Sequence, residues 1–440
     1  MSMQSVRQFD LTAPRPGWRR ITRHPAIMEY QRLVLLVLGV NVAALYWGVQ
    51  NNIWWDGNGF ALDRISNLAL VNFSLAILIR QQRVVNLLFW LATRIPTSWP
   101  LWIRWGAGKV FHFGGLHIGG NVAGSAWFLL LLAGLVWNHL LGLDGISPRT
   151  IGVTAVMLLL LALMIATAVS SFRARFHDLF ERVHRFAGWT VLALFWAQTV
   201  SVIDDTGGTF IGSPAIWMLC LITISIALPW MTLKKVPVEI VKPSNHAVVL
   251  RFNYGDTPFP GSSNSISLSP LLEWHAFANI PAPGEDGYRL IVSRAGDWTG
   301  SLIDNPPSHV WVKGITTSGV ARIEVLFKKV VYIATGSGIG PVMPHLLAKD
   351  VPIRLIWSTR SPRKTYGDAL VNEILEASPD ALIWDTDEKG KPNLSQLAMQ
   401  AVQDFDAEAV ICISNQKLTR RVVHDLESLG VPAYGAIWDS

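Results

Sequence analysis

An apolar run, Val330–Ala334, breaks into Thr335-Gly336-Ser337-Gly338-Ile339-Gly340-Pro341, after which a helical pattern opens. Glycines let a backbone turn sharply and approach a ligand that a Cβ would exclude, and a helix start offers N–H groups and the positive end of its dipole. The chemistry such a turn can do is to cradle phosphate, although the same pattern also serves as a plain turn in α/β sheets. A cationic cluster follows the next β-like run: Ser358 and Arg360 close the stretch Trp357-Ser358-Thr359-Arg360, with Arg363, Lys364 and Tyr366 just beyond. Guanidinium forks grip phosphate in a bidentate manner; a solvated basic loop would carry the same residues.

Two histidines stand out in the apolar half. His112 lies in KVFHFGGLH at the start of one long apolar run, and His184 lies in FHDLFERVHRFAGW at the start of another. An ionisable group within a membrane span is costly, so it marks either function or a hydrogen-bonded structural role. The two runs have the same direction, so the imidazoles could face each other at one depth, as two axial ligands of a haem do. The two cysteines, Cys220 and Cys412, fall in different halves. They exclude a disulfide framework, a zinc cluster and an iron–sulfur ligand set.

The elements that position these groups follow from composition and period. Half of the 440 residues are hydrophobic and 15% are charged. Residues 1–234 carry 18 Lys and Arg against 9 Asp and Glu, and residues 235–440 carry 19 against 22. Apolar runs at 33–50, 65–80, 110–137, 150–171, 186–203 and 210–232 approach the ~20 residues a helix needs to cross a bilayer. The loops Gln50–Phe60 and Ser201–Phe210 hold no Lys or Arg, whereas Arg80–Lys109 and Phe172–Arg185 are basic. Positive-inside then places both termini in the cytosol, with no sign of a cleaved leader in the Arg-rich first segment. Val84–Trp99 reads as an interfacial or short re-entrant piece. From residue 236 short β-like runs broken by Pro and Gly suggest an antiparallel barrel, and from 328 strands and helices alternate as in a parallel α/β sheet. The expected chain is therefore multi-domain: a cytosolic segment 1–32, a six-helix transmembrane bundle 33–235, a β-barrel 236–327 and an α/β nucleotide domain 328–440.

Several of these stretches resemble the ferric reductase and NADPH oxidase superfamily. Phe180-Glu181-Arg182-Val183-His184 and Phe111-His112 are similar to its inner haem-ligand positions, while Ala126 and Ala197 stand where its outer histidines would be. His275-Ala276-Phe277-Ala278-Asn279 resembles the flavin-contacting strand of that superfamily, with Asn279 as the polar group in place of a hydroxyl. Gly296-Asp297-Trp298-Thr299-Gly300-Ser301 resembles its Gly-Asp-Trp-Thr segment, which implies an FAD pyrophosphate at a helix start. Thr299, Gly300 and Ser301 supply hydroxyls and backbone donors there. The glycine turn is similar to the Gly-x-Gly-Ile-x-Pro nicotinamide-dinucleotide turn of ferredoxin-reductase-like proteins. The acidic ribose reader of NAD-type sites is missing and Arg360 and Arg363 stand instead, so NADPH is the expected nucleotide. The resemblance also implies a terminal aromatic on the flavin, here Trp438. Within the superfamily the chain looks closest to the TmpA-like integral membrane flavoproteins, which lack the full haem set.

These readings converge on a membrane-bound flavoprotein oxidoreductase that passes electrons from NADPH through FAD to an acceptor at or in the inner half of the bilayer. That acceptor is expected to be lipid-soluble or membrane-presented. Two alternatives stand beside it: a single haem held by His112 and His184 between flavin and acceptor, and a nucleotide-sensing membrane regulator without turnover.

Overall fold

A computed structural model describes residues 28–143 and 145–435. Trp438 and the arginines at 7, 15, 19, 20 and 23 lie outside the described residues. The apolar half begins with α1 (Glu29–Gln50), a two-stranded hairpin of β1 (Trp55–Asp56) and β2 (Gly59–Phe60), α2 (Leu62–Leu78) and α3 (Gln82–Thr93). Then come α4 (Leu101–Ala107), a 3-10 segment Gly108–Phe113, α5 (Gly114–Leu140), α6 (Pro148–Ala168), α7 (Ser170–Arg175), α8 (His177–Thr206) and α9 (Pro214–Met231). Local signals set the ends. Ser147 caps α6 by accepting from Thr150 N ahead of Pro148, and Gly207 ends α8 in the left-handed region. In α5, Gly115 and Gly120 let the α1 and α2 backbones come so close that a Cβ would sit 2.3 Å from Tyr30 O and 2.7 Å from Asn72 O.

Each of the six apolar runs is helical. Five helices among the described residues are long and apolar enough to cross a membrane, α4 to α5 counting as one, and the α2/α3 pair makes up to six. That pair is bent by 73°. Phe73, Trp127, Phe128, Leu131, Met157, Phe195 and Leu219 fill the bundle interior. At its centre Asn41 and Asn72 exchange amide hydrogen bonds and Asn41 accepts from Trp127 Nε1 at 2.8 Å, which satisfies polar groups that would otherwise be costly. The outward face of α1, including Leu36, Val40, Val42 and Trp47, is exposed.

Val84–Trp99, expected as an interfacial or short re-entrant piece, begins within α3 beyond the α2/α3 bend. α3 turns away from the bundle and lays Phe89 into the core of the β-rich half, and Asn86 bonds Thr316 O and Ser318 N at 2.8 Å each. Leu87, Trp90 and Leu91 face outward. α3 therefore has one packed and one exposed apolar face.

The β-rich half starts at Leu233, within three residues of the end of α9. Strands β3 (Leu233–Pro237), β4 (Glu239–Val241), β5 (Ala247–Phe252), β6 (Ser262–Ser267), β7 (His275–Ala278), β8 (Tyr288–Ser293), β9 (His309–Lys313) and β10 (Thr317–Ser318) are antiparallel. The expected single barrel resolves into two sheets, β10-β6-β9-β3 with β7 on β6, and β4-β5-β8, linked by an Ile280–Arg289 bridge. Val248, Leu250, Phe252, Ile266, Leu290 and Val312 form their shared core, closed at one end by α10 (Asp297–Asp304).

The last section alternates as the period predicts: β11 (Val330–Thr335), a 3-10 turn Gly336–Ile339, α11 (Met343–Ala348), β12 (Ile353–Thr359), α12 (Pro362–Tyr366), α13 (Asp368–Ala377), β13 (Leu382–Asp385), α14 (Thr386–Lys389), α15 (Leu394–Phe405), β14 (Ala409–Ile413), α16 (Gln416–Ser428) and β15 (Ala433–Gly435). All five strands are parallel, in the order β13-β12-β11-β14-β15. This sheet docks on α4 and the 3-10 segment that enters α5. Arg104 forms a bidentate pair with Glu408 and donates to Leu326 O; Lys109 pairs with Glu427 and donates to Ala433 O; Tyr434 Oη donates to Trp105 O at 2.9 Å.

Candidate nucleotide and flavin site

The strand order reverses between β11 and β14, and a doubly wound sheet opens its ligand crevice at that point, beyond the carboxyl ends of the strands. The glycine turn lies there. Thr335 Oγ1 is 2.6 Å from Ser414 Oγ across the crevice. Gly336 has φ +52°, its carbonyl accepts from Trp357 Nε1 at 2.9 Å, and Tyr366 Oη overlies it. Gly338 passes so close to β14 that a Cβ would stand 2.3 Å from Ile413 O. Ile339 is fully buried, Gly340 N bonds back to Ser337 O at 2.9 Å, and Pro341 leads into α11. The helix after the turn is shorter than the sequence pattern suggests, six residues. Behind it His345 Nδ1 meets Glu324 at 2.5 Å, and Tyr332 Oη donates to the same carboxylate at 3.0 Å. These buried contacts pin the turn from below.

The cationic loop separates into unequal parts. Ser358 is buried at the end of β12, between Thr335 and Trp384 of the neighbouring strands. Arg360 is 81% exposed and reaches into solvent, with Asp387 at 3.9 Å. Arg363 is half-exposed, and its Nη1 donates to Asp368 at 2.7 Å and to Asn372 at 2.9 Å, within α12 and α13. Tyr366 bonds Ser293 Oγ at 3.2 Å and thereby ties this loop to β8. Burial pushes its phenol up despite hydrogen bonds to Ser293 and Thr359. Cys412, in the middle of β14, is fully buried, and burial drives its thiol up to about 12. It is an inert core residue there.

On the antiparallel sheets His275 and Phe277 share one face of β7, as alternation requires. Both stack on Trp298 of α10, with centroids at 4.0 Å and 6.2 Å. His275 Nε2 lies at ion-pair distance, 2.9 Å, from Glu273 Oε2, and Trp298 Nε1 is buried and unpartnered. Burial tends to raise the Glu273 carboxyl, but His275 and the Ser269, Ser267 and Leu268 donors outweigh it and hold it low. The orphaned Trp298 indole N–H beside a flat aromatic surface suits the heteroatom edge of a flavin. Thr299 has a narrower role than expected: its hydroxyl accepts from Ala295 N and Gly296 N and donates to Gly296 O, which consumes it in capping α10. Gly300 is buried against Arg294, while Ser301 stays exposed. Asn279 is fully buried; its Nδ2 donates to Ser262 Oγ at 3.0 Å and its Oδ1 has no partner. The two half-sites meet at β8, where Ile291 lies against Gly340.

The histidine pairing also changes. His112 sits on the 3-10 segment, 5% exposed, its ring tilted against that of Phe111 at 4.2 Å. The residue opposite His184 is His117, with ring centroids 6.3 Å apart. His117 Nδ1 bonds Ala76 O at 2.8 Å, Asn121 Nδ2 lies 3.3 Å from its Nε2, and His184 Nδ1 is buried without a partner. His112 lies on the 3-10 segment and His117 one turn into α5, so the two imidazoles do not share one α-helical face.

Residues 320–440 match the family model of the Adenylate-forming reductase 03009, C-terminal domain. Two proteins of Coprinopsis cinerea, Adenylate-forming reductase 03009 and Adenylate-forming reductase 06235, are 43% and 41% identical over 428 residues, covering 96% of this chain and 41% of each relative. The chain thus spans about two fifths of the length of the relatives it matches. Among solved structures, a ferredoxin NADP+ reductase from Neisseria gonorrhoeae with bound FAD and NADP aligns with TM-score 0.37 and 14% identity over 47% of this chain and 98% of that one. The FAD/NAD-binding domain of a nitric oxide dioxygenase from Vibrio cholerae aligns with TM-score 0.35 and 17% identity over 46% and 98%.

Proposed function

We propose that the chain is a membrane-anchored oxidoreductase module that uses NADPH and FAD. The observation that carries the reading is the meeting of two half-sites at β8: a glycine turn at the switch point of a parallel sheet, and an aromatic face with the unpartnered Trp298 Nε1 beside the antiparallel sheets. Bound there, NADPH would supply a hydride, and FAD would take it up and release electrons one at a time. The residues of the chain bind and orient. Gly336 and Gly338 admit a pyrophosphate to the backbone, Arg360 reaches the ribose phosphate, Trp298 with His275 and Phe277 frames the flavin plane, and Thr335 and Ser414 line the crevice between them. The relatives' names, which pair reductase with this stretch of sequence, support an oxidoreductase.

Membrane anchoring is supported by helix length, by the apolar outward faces and by the basic loops at one end of the bundle. The acceptor on this reading is lipid-soluble or membrane-presented and is reduced at the inner half of the bilayer. A second reading of the acceptor is favoured by the 43% identity to an adenylate-forming reductase: a carboxylic acid activated as its adenylate. The decisive experiment is stopped-flow mixing of the flavin-loaded protein with NADPH. Bleaching of the flavin absorbance is expected. A protein that takes up flavin but does not bleach would leave the sensing alternative in its place.

A further inference from the structure

Between β6 and β7 the chain makes a finger, residues 268–274, that none of the binding chemistry above requires. Its shape is fixed from within. The Glu273 carboxylate accepts from Ser267 Oγ, Leu268 N and Ser269 N at 2.8–2.9 Å, and Leu272 N closes a turn on Ser269 O. This rigid turn holds three leucines outward, Leu268, Leu271 and Leu272, at 38%, 58% and 48% exposure. A soluble sheet-to-sheet connection ordinarily carries polar residues at such positions.

The finger's neighbours indicate what covers it. Arg185 of α8 donates to Leu271 O at 3.0 Å. Trp274 at the finger's base meets Trp230 edge-on, and Trp230 meets Trp189 of α8 in the same manner. The Lys313 ammonium lies 4.7 Å from the Trp274 ring. Tryptophans interleaved with cations are the side chains that gather at the headgroup level of a bilayer. Trp230 is the penultimate residue of α9, so the finger stands level with the end of a candidate span. α8, at 30 residues, is about 45 Å long and overhangs a hydrocarbon layer of about 30 Å. Its first turns expose Phe176, Leu179 and Phe186 beside Arg175 and Arg182.

We propose that the Leu268–Leu272 finger inserts into the cytosolic leaflet of a bilayer bearing anionic headgroups, and so holds β7, with His275 and Phe277, at the membrane surface. A lipid-soluble acceptor then reaches the flavin-facing strand sideways from the leaflet. The inference rests on the reading that the long helices cross a bilayer, and one experiment separates the two. The full chain with Cys220→Ala, reconstituted in nanodiscs of phosphatidylcholine and phosphatidylserine, receives a nitroxide at Leu271→Cys, with Leu268→Cys as a second site on the finger. Leu221→Cys on the outward face of α9 and Lys417→Cys on α16 serve as lipid and water references. Collision rates with oxygen and with a water-soluble nickel chelate are then measured. The expected result is a several-fold higher oxygen-to-nickel ratio at 271 and 268 than at 417, close to that at 221. Finger labels that behave like 417 while 221 reports lipid would overturn the insertion and leave the spans standing. A label at 221 that behaves like 417 would remove the spanning reading and the insertion with it.

Discussion

Removing Arg360 and removing Arg363 should have different consequences, although the two arginines look equivalent in the sequence. The Arg360 fork is solvent-exposed, with only Asp387 at 3.9 Å to compete for it. Arg363 is held by Asp368 and Asn372. A hydrogen bond to a charged group contributes about 1.5–3 kcal/mol, and exposure puts Arg360 at the low end of that range. About 1.5 kcal/mol corresponds to roughly a tenfold change in affinity. Arg360→Ala is therefore expected to raise KM for NADPH by about tenfold with KM for NADH unchanged, in a steady-state assay with ferricyanide as acceptor. The difference should shrink as salt rises, because charges in solvent are screened over about 8 Å at physiological ionic strength. Arg363→Ala should change both constants by less than about twofold, since its guanidinium is already held through Nη1 by Asp368 and Asn372. Equal losses of NADPH affinity in the two variants, or an equal loss for NADH in Arg360→Ala, would refute the assignment.

Gly338→Ala places a Cβ 2.3 Å from a backbone carbonyl that cannot swing away; a cost of about 1–3 kcal/mol is expected, read as weaker NADP+ binding by calorimetry and a lower melting temperature. Unchanged binding would show that the turn does not approach the ligand. Lys313 is held down to about 8, first by burial and then by Arg185, against a weaker pull from Glu181. The unfolded chain therefore binds more protons between about pH 8 and the ordinary lysine value near 10.4, and stability should rise with pH across that window. Lys313→Met should flatten that rise in denaturation curves; a slope identical to that of the parent protein would contradict the burial argument. Any haem bound by the bundle should depend on His117 and His184. A Soret band lost in His117→Ala and kept in His112→Ala is expected, and the opposite pattern would restore the pairing suggested by the sequence.

Much of this protein was legible as a string. Periods of 3.6 and 2 separated helices from strands, because burial on one face imposes those periods whatever the partner surface is. The glycine turn and the aromatic pair at 275 and 277 were readable for the same kind of reason: a close approach and a shared strand face are properties of a few consecutive residues. What the string left open was partnership. Whether Arg363 is free, whether Asn279 faces a ligand or the sheet interior, whether Thr299 binds or caps, and which histidine meets His184 all depend on atoms remote in sequence or on a local change of helix type. α3 is the clearest instance, since its sequence shows two apolar faces but not that one of them packs on a sheet more than two hundred residues away. Sequence by itself determined the kinds of element and the residues able to do chemistry, because those follow from local sterics and from the cost of burying the wrong face. Only the tertiary structure decided which of those residues remain available, because each hydrogen-bonding group forms its contacts once, with whatever the fold brings beside it.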